Sequence, residues 1–230
     1  MNCIITAGPS FEPLDEVRRL TNFSTGRLGS RLAAYLQERL PQARTLLLRG
    51  ALSTFHGEAA LEEPEGLETL AFSTPADLLE KFRKLATTEP CAIFHAAAVN
   101  DFGFGKVYKR QPDGSLKELL SGKFSSRSKR PLLVELRPTP KILPQLRQLF
   151  PNAFITGWKY EVKGTPVELF RKAHRQLKEC RSDLCVMNGP ACGPGFGLFS
   201  SASPERFYPV ETMEALFETL YQKALKYFCP

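Results

Sequence analysis

Cys91-Ala92-Ile93-Phe94-His95-Ala96-Ala97-Ala98 is an apolar run interrupted by a single histidine. A strand with one wet face alternates apolar and polar residues, whereas a continuous run belongs to a strand covered on both faces, as in a parallel sheet. Working outward, the same kind of run recurs at Cys3 to Ala7, and further strands are predicted at Thr45 to Leu48 and Leu67 to Phe72. Leu28, Leu32, Tyr35, Leu36 and Leu40 keep near-helical spacing and predict a helix from about Gly26 to Leu40. Ser73-Thr74-Pro75 reads as a helix start, with Thr74 as cap and Pro75 at the first helical position, leading into Ala76 to Ala86. Toward the C-terminus, strands at Ala153 to Thr156, Leu184 to Met187 and Arg206 to Val210 are interspersed with helices near Val167 to Glu179 and Glu211 to Phe228. Strands separated by helices predict right-handed βαβ units. The expected fold is therefore α/β: a three-layer αβα, doubly wound, mainly parallel, Rossmann-like sheet.

One segment breaks this rhythm. Lys117 to Leu120 and Leu132 to Leu136, joined by the Gly/Ser/Lys-rich stretch around Gly122 to Arg130, predict an antiparallel β-hairpin or flap. The expectation is one domain over residues 1–230 with a β insertion at about 104–137. The chain has 31 Lys and Arg against 24 Asp and Glu, a net +7. Lys106 to Arg147 holds eleven basic and three acidic residues, a net +8, so the remainder sums to −1. The surplus is thus a localised ribbon and not a diffuse polyanion-binding surface, and its bland reading is a solvated face.

With 230 residues, 43% of them apolar, the chain can bury a sizeable core, which excludes disordered and fibrous classes. No stretch has the roughly 18 to 20 uninterrupted apolar residues of a membrane helix. Met1-Asn2-Cys3-Ile4-Ile5 enters a strand-like run without the regions of a signal peptide, so a cytoplasmic location is expected. The six cysteines form no Cys-x-x-Cys pair and are expected to be reduced, with Cys3, Cys91 and Cys185 as buried apolar residues.

Ligands of an open parallel sheet bind beyond the carboxyl ends of its strands, which points to the loops after Ala7 and Ala98. The first, Gly8 to Thr25, is longer than ordinary strand-to-helix loops. It ends in Ser24-Thr25-Gly26 at a helix N-terminus, where free N–H groups, hydroxyls and a glycine suit a phosphate. Taken alone, the same tripeptide also serves as a plain cap. Arg18 and Asn22 add a cation and a neutral donor-acceptor. In the second loop, Asn100-Asp101 offers a carboxylate for a ribose hydroxyl or a cation, or simply forms a turn. His95 lies in the buried run, and His56 and His174 have no partners in sequence, so no nucleophile–base constellation is visible.

These residues give the chain a resemblance to the phosphopantothenate-cysteine ligases of coenzyme A biosynthesis. It runs over nearly the whole length, through Ile4-Ile5-Thr6-Ala7-Gly8, Glu12-Pro13-Leu14-Asp15-x-Val17-Arg18 and Thr21-Asn22-Phe23-Ser24-Thr25-Gly26-x-x-Gly29. Further matches are His95-Ala96-Ala97-Ala98-Val99-x-Asp101-Phe102, Gly122-Lys123-Phe124-Ser125-Ser126, Pro138-Thr139-Pro140-Lys141-Ile142-Leu143 and Asp183-Leu184-x-Val186-x-Asn188. The resemblance implies a Mg2+-dependent ligation of 4'-phosphopantothenate and cysteine through an acyl-nucleotide derived from CTP or ATP, with release of pyrophosphate. Such chemistry relies on positioning and on spreading charge, which matches a site rich in N–H groups, Arg, Lys and Asn.

Carried over by that resemblance, Asn22 holds the acyl-nucleotide, and Gly8, Ser10, Ser24, Thr25 and Gly26 take phosphates. Arg18 sits at the reacting groups, and Lys123, on a mobile basic flap, stabilises the charge of activation. Ala96, Ala97, Ala98 and Asp101 line the nucleotide and substrate; Thr139, Pro140, Lys141, Ile142 and Trp158 frame the nucleotide. The metal ligands are unassigned. A homodimer is implied, with the β insertion helping to form the contact. Three departures stand out. Pro9 removes an N–H from the first loop; Gln176 and Cys180 occupy the places where bifunctional bacterial members carry lysines; and a fused flavin-binding domain is absent, suggesting a stand-alone form. Three other readings stay open: an inactive or altered-specificity nucleotide-binding homologue, an NAD(P)-dependent oxidoreductase lacking the glycine fingerprint, and a nucleic-acid binder using residues 106–147.

Overall fold

The computed structural model describes residues 2–55, 64–120, 122–124 and 131–228; His56, Cys229, Ser125, Ser126 and the basic residues 127, 129 and 130 lie outside them. In chain order the elements are β1 (Asn2–Ala7), β2 (Phe11–Pro13), β3 (Arg19–Thr21), α1 (Arg27–Arg39), β4 (Thr45–Gly50), β5 (Leu67–Phe72), α2 (Pro75–Leu85) and β6 (Cys91–His95). There follow β7 (Phe102–Arg110), β8 (Leu116–Glu118), β9 (Leu132–Pro138), α3 (Leu143–Leu149), β10 (Phe154–Tyr160), α4 (Pro166–Cys180), β11 (Leu184–Asn188), β12 (Phe196–Ser200), β13 (Ser203–Val210) and α5 (Met213–Phe228).

Eight strands form the main sheet in the order β13-β12-β11-β10-β6-β1-β4-β5. The six from β11 to β5 pair in parallel, and β12 and β13 add an antiparallel edge. The fold is the expected mainly parallel, Rossmann-like α/β sheet. Its continuous apolar strands are doubly covered: Cys3, Ile5, Ala92 and Phe94 pack with Leu32 and Leu36 of α1 and Leu216 and Leu220 of α5. Ile4, Cys91 and Ile93 face the opposite way, onto Leu78 and Phe82 of α2 and Leu146 of α3. At the side of β11 and β12, Leu169, Ala173 and Leu177 of α4 cover Cys185, Met187 and Phe199.

Local signals set the helix starts. Thr74 accepts from the Asp77 N–H with Pro75 behind it, and Thr165 and Glu168 close a capping box on α4. Beyond Gly103 the basic segment holds its own sheet, ordered β8-β7-β9. Here the expected hairpin needs correction: β8 and β9 pair with β7, not with each other. A register irregularity between Phe104 and Val107, next to two glycines, hides the alternation of β7 in the sequence. The run that opened the sequence reading also ends early, at His95, because Ala98 leaves the ladder of β6 to bridge Pro9.

No helix among the described residues is long and apolar enough to cross a membrane. No disulfide joins the described cysteines. Burial pushes the Cys3 and Cys185 thiols up to about 12 and Cys91 up to about 11, so none of these three is a thiolate nucleophile near neutral pH.

Candidate functional site

The strand order reverses at β1, which leads to β4 on one side and lies against β6 on the other. The loops after these two strands therefore flank the crevice where such sheets bind ligands. They are zipped together by the backbone: Ala98 N–H donates to the Gly8 carbonyl at 3.0 Å, and Ser10 N–H donates to the Ala98 carbonyl at 3.1 Å. Pro9 sits inside this zipper, between the Gly8 carbonyl that accepts from Ala98 and the Ser10 N–H that donates back to it.

Asn100 ties the loops side chain to side chain. It is buried, its Oδ1 accepts from Ser10 Oγ and from Asn22 Nδ2, both at 3.1 Å, and its own Nδ2 donates to the Leu20 carbonyl at 3.1 Å. Its backbone N–H donates to Ser10 Oγ at 2.8 Å, while the Thr139 hydroxyl donates to its carbonyl. The sequence leaves Asn100-Asp101 open between a ligand-binding loop and a turn; a short polar side chain gives no hint of burial until the two loops meet. Ser10, expected to face a phosphate, is fully buried with its hydroxyl committed to Asn100, and so shapes the loop from inside. Asn22 is exposed at the crevice, its amide also donating to the Ala98 carbonyl at 3.0 Å.

A glycine cradle lies beside it. Gly26 is the N-cap of α1 with φ +85° and has no side chain to cap the helix, so its first-turn N–H groups are open to a ligand apart from that of Arg27. Thr25 Oγ1 accepts only the local Arg27 N–H at 3.3 Å, and Ser24 is half-buried. Gly8 also has positive φ, +81°, and a Cβ there would lie 1.8 Å from Ser53 Oγ; at Gly26 it would lie 2.7 Å from the same oxygen. Ser53, unmarked in the sequence, thus fills the space that both glycines leave, and its buried hydroxyl has no hydrogen-bond partner among the described residues.

Arg18 and the Lys123 segment form a third part. Arg18 donates to Asp15 Oδ2 at 2.7 Å and, through both terminal nitrogens, to the Phe124 carbonyl at 3.2 Å. Phe124 N–H returns a bond to Asp15 Oδ2 at 3.2 Å, and Glu16 N–H donates to the Gly122 carbonyl at 2.9 Å. Desolvation raises the Asp15 pKa, but the N–H groups of Val17 and Phe124 and the Arg18 charge outweigh it and hold the carboxyl below its ordinary value. Residues 122–124, the described part of the expected flap, are thus bonded to the first loop through Gly122 and Phe124, and the exposed Lys123 lies between these two anchors.

A recess of about 380 Å³ opens next to these parts, lined by His95, Ala97, Val99, Asp101, Lys141, Ile142 and Trp158 among others. Lys141 and Asp101 pair across its rim, and Thr139 N–H donates to the Asp101 carbonyl at 3.0 Å. The recess thus gathers most of the residues expected to frame a nucleotide. Trp158, although it lines the recess, also packs against the α1–α5 core, and its indole N–H is buried without a partner among the described residues. Ala96 is half-buried, its N–H donating to the Phe94 carbonyl. Of the basic ribbon, Lys106, Arg137, Lys141 and Arg147 are paired to Glu118, Glu135, Asp101 and Asp183. Among the described residues no three His, Cys, Asp or Glu side chains converge as metal ligands.

The family model described as DNA/pantothenate metabolism flavoprotein C-terminal domain matches residues 1–202. The chain is 29% identical over 186 residues to the coenzyme A biosynthesis bifunctional protein CoaBC of Thermococcus kodakarensis, covering 80% of this chain and 40% of that protein. It is 29% identical over 231 residues to CoaBC of Bacillus subtilis, covering 96% of this chain and 50% of that one. The chain thus spans half or less of the length of these curated relatives. Among solved structures, the DNA/pantothenate metabolism flavoprotein of Streptococcus pneumoniae superposes with TM-score 0.77 at 23% identity, over 99% of both chains. A Cab2 H337A mutant in complex with phosphopantothenate-cysteine superposes with TM-score 0.73 at 20% identity, over 99% of this chain and 87% of that one.

Proposed function

We propose, from the premise that this chain belongs to the DNA/pantothenate metabolism flavoprotein C-terminal domain family, that it is a phosphopantothenate-cysteine ligase of coenzyme A biosynthesis, working as a cytoplasmic homodimer. The observation that carries the reading is the convergence, at the sheet's switch point, of the glycine cradle, Asn22 and the Arg18–Asp15–Phe124 clamp. In the first step a carboxylate oxygen of 4'-phosphopantothenate bonds to the α-phosphorus of CTP or ATP, the bond to the bridging oxygen breaks, and its electron pair leaves with pyrophosphate. In the second, the cysteine amine attacks the acyl carbon, loses a proton to solvent and expels the nucleoside monophosphate.

The chain's own groups suit positioning and charge stabilisation, not acid–base work. Gly8 and Ser24 to Gly26 present backbone N–H groups to a phosphate, Arg18 and Lys123 offset the charge that builds during activation, and Asn22 holds the acyl-nucleotide. Ala96, Ala97, Ala98 and Asp101 line nucleotide and substrate, with Thr139, Pro140, Lys141, Ile142 and Trp158 around the nucleotide. Ser10 acts from beneath, through Asn100. Mg2+ arrives on the triphosphate it accompanies, held largely by phosphate oxygens and water. The homodimer is supported by apolar side chains left exposed on the β7–β9 sheet, Leu116, Leu132 and Leu136.

Purified protein given 4'-phosphopantothenate, cysteine and Mg2+ with CTP or ATP in turn should release pyrophosphate in step with amide formation. The preferred nucleotide emerges from the same assay. No pyrophosphate with either would remove the ligase reading and leave a nucleotide-binding homologue without ligation.

A further inference from the structure

His95 is a buried histidine that none of the roles above uses. It ends β6 and lines the recess, only 8% exposed. Two bonds fix its tautomer. Thr6 Oγ1 accepts the Ala97 N–H at 2.9 Å and lies 3.0 Å from His95 Nδ1. A hydroxyl carries one hydrogen, and Nδ1 is the sole acceptor the described residues offer it. Nδ1 is therefore the bare nitrogen, and the ring proton sits on Nε2, which has no hydrogen-bond partner among the described residues. Phe82 stands edge-on to the ring, centroids 5.9 Å apart at 75°, and holds its plane. Burial lowers the pKa to about 4, so the ring donates this proton without carrying a charge at neutral pH.

The surroundings say what the donor faces. The buried end of the recess is neutral, with Ile142 3% exposed beside the apolar Ala97 and Val99. The charged liners lie further out: Lys141 and Asp101 pair with side chains 60% and 68% exposed, Arg175 and Glu179 are exposed, and Lys159 and Lys172, about 30% exposed, pair with Glu161. Such a gradient takes a flat uncharged ring inward and keeps its anionic tail out. We propose that the Nε2–H of His95 is a fixed neutral donor at the floor of this recess that reads a hydrogen-bond acceptor, a ring nitrogen or carbonyl oxygen, on the edge of the nucleotide's base. The proposal rests on the ligase reading, which supplies the nucleotide. It makes His95 a specificity-determining residue, since a base analogue lacking that acceptor leaves a buried donor unpaired.

The test uses the full chain with 15N-labelled histidine. The expected spectrum shows an unprotonated Nδ1 and a protonated Nε2 at pH 7, and saturating CTP or ATP shifts the Nε2 resonance. In steady state, His95→Phe should raise the KM for the nucleotide roughly tenfold, with kcat and the KM for cysteine within about twofold of wild type, and His95→Gln, which restores an N–H at similar reach, should recover most of the loss. A proton found on Nδ1, an unmoved resonance under turnover conditions, or a wild-type nucleotide KM in His95→Phe overturns the proposal while pyrophosphate release keeps the ligase reading intact. The spectrum of the wild-type chain decides the matter even where His95→Phe does not fold. Absence of pyrophosphate release with both nucleotides removes both readings.

Discussion

Replacing Asn100 by alanine should loosen the whole site at once. The side chain makes three bonds of 3.1 Å, from Ser10 Oγ and Asn22 Nδ2 and to the Leu20 carbonyl, and it is buried. Each intramolecular bond contributes about 1 kcal/mol net, and partners left buried cost at least as much, so a loss of about 3 kcal/mol is expected. For a domain of this size that lowers Tm by roughly 6–12 °C. Urea unfolding followed by circular dichroism measures it directly, with an unchanged m value expected because the surface exposed on unfolding is the same. Asn100→Asp gives a sharper version. One carboxylate oxygen can still accept from Ser10 and Asn22, but the other faces the Leu20 carbonyl, so the variant should be weakest near pH 7 and regain stability as acid protonates it. The same variants should lower ligation more than they lower stability accounts for, since Asn22 loses its anchor. A midpoint shift worth less than about 0.5 kcal/mol in Asn100→Ala would refute the claim that this residue holds the two loops together.

Gly8→Ala places a Cβ where Ser53 Oγ now sits and forces a non-glycine residue to φ +81°; the left-handed backbone alone costs about 1–2 kcal/mol, and adding Ser53→Ala should return the steric part, so strictly additive denaturation energies in the double mutant would count against the contact. His95 gives a pH dependence: its folded pKa of about 4 lies below the unfolded value of 6.5, so the unfolded chain takes up the proton first. Stability is therefore full above about pH 6.5, falls as pH drops toward 4 and levels off below, a loss of about 2.5 kcal/mol by pH 4.5; His95→Gln should flatten that part of the urea-midpoint profile. Asn22→Asp and Lys123→Gln should each reduce pyrophosphate release severely while unfolding as wild type does, and normal turnover in both would take these side chains out of the mechanism.

Much of the fold is legible in the sequence because burial on both faces writes itself as predominantly apolar runs. Cys3 to Ala7 and Cys91 to His95 are such runs, and they are the two central strands of the parallel sheet. Helix α2 announces itself by Thr74 and Pro75, a purely local signal. Helix α3 does not: it has seven residues, no side-chain cap and Pro144 in its first turn, and it exists because Leu146 closes the core against Ile93 and Phe150. Strand β12 was hidden by Gly195 and Gly197, and β7 by its irregular register.

What the sequence determined by itself is the kind of sheet and the two loops where chemistry belongs, since hydrophobic periodicity and loop length are properties of neighbouring residues. The tertiary structure decided how those loops become a site. Only it could bury Asn100 and Ser10 together, place Ser53 under the two glycines at opposite ends of the first loop, fasten residues 122–124 to that loop, and orient the proton of His95 through Thr6. Each of these joins residues far apart along the chain. A polar side chain's role depends on which distant groups remain to satisfy it once water is gone, and that is fixed by packing, not by its neighbours in sequence.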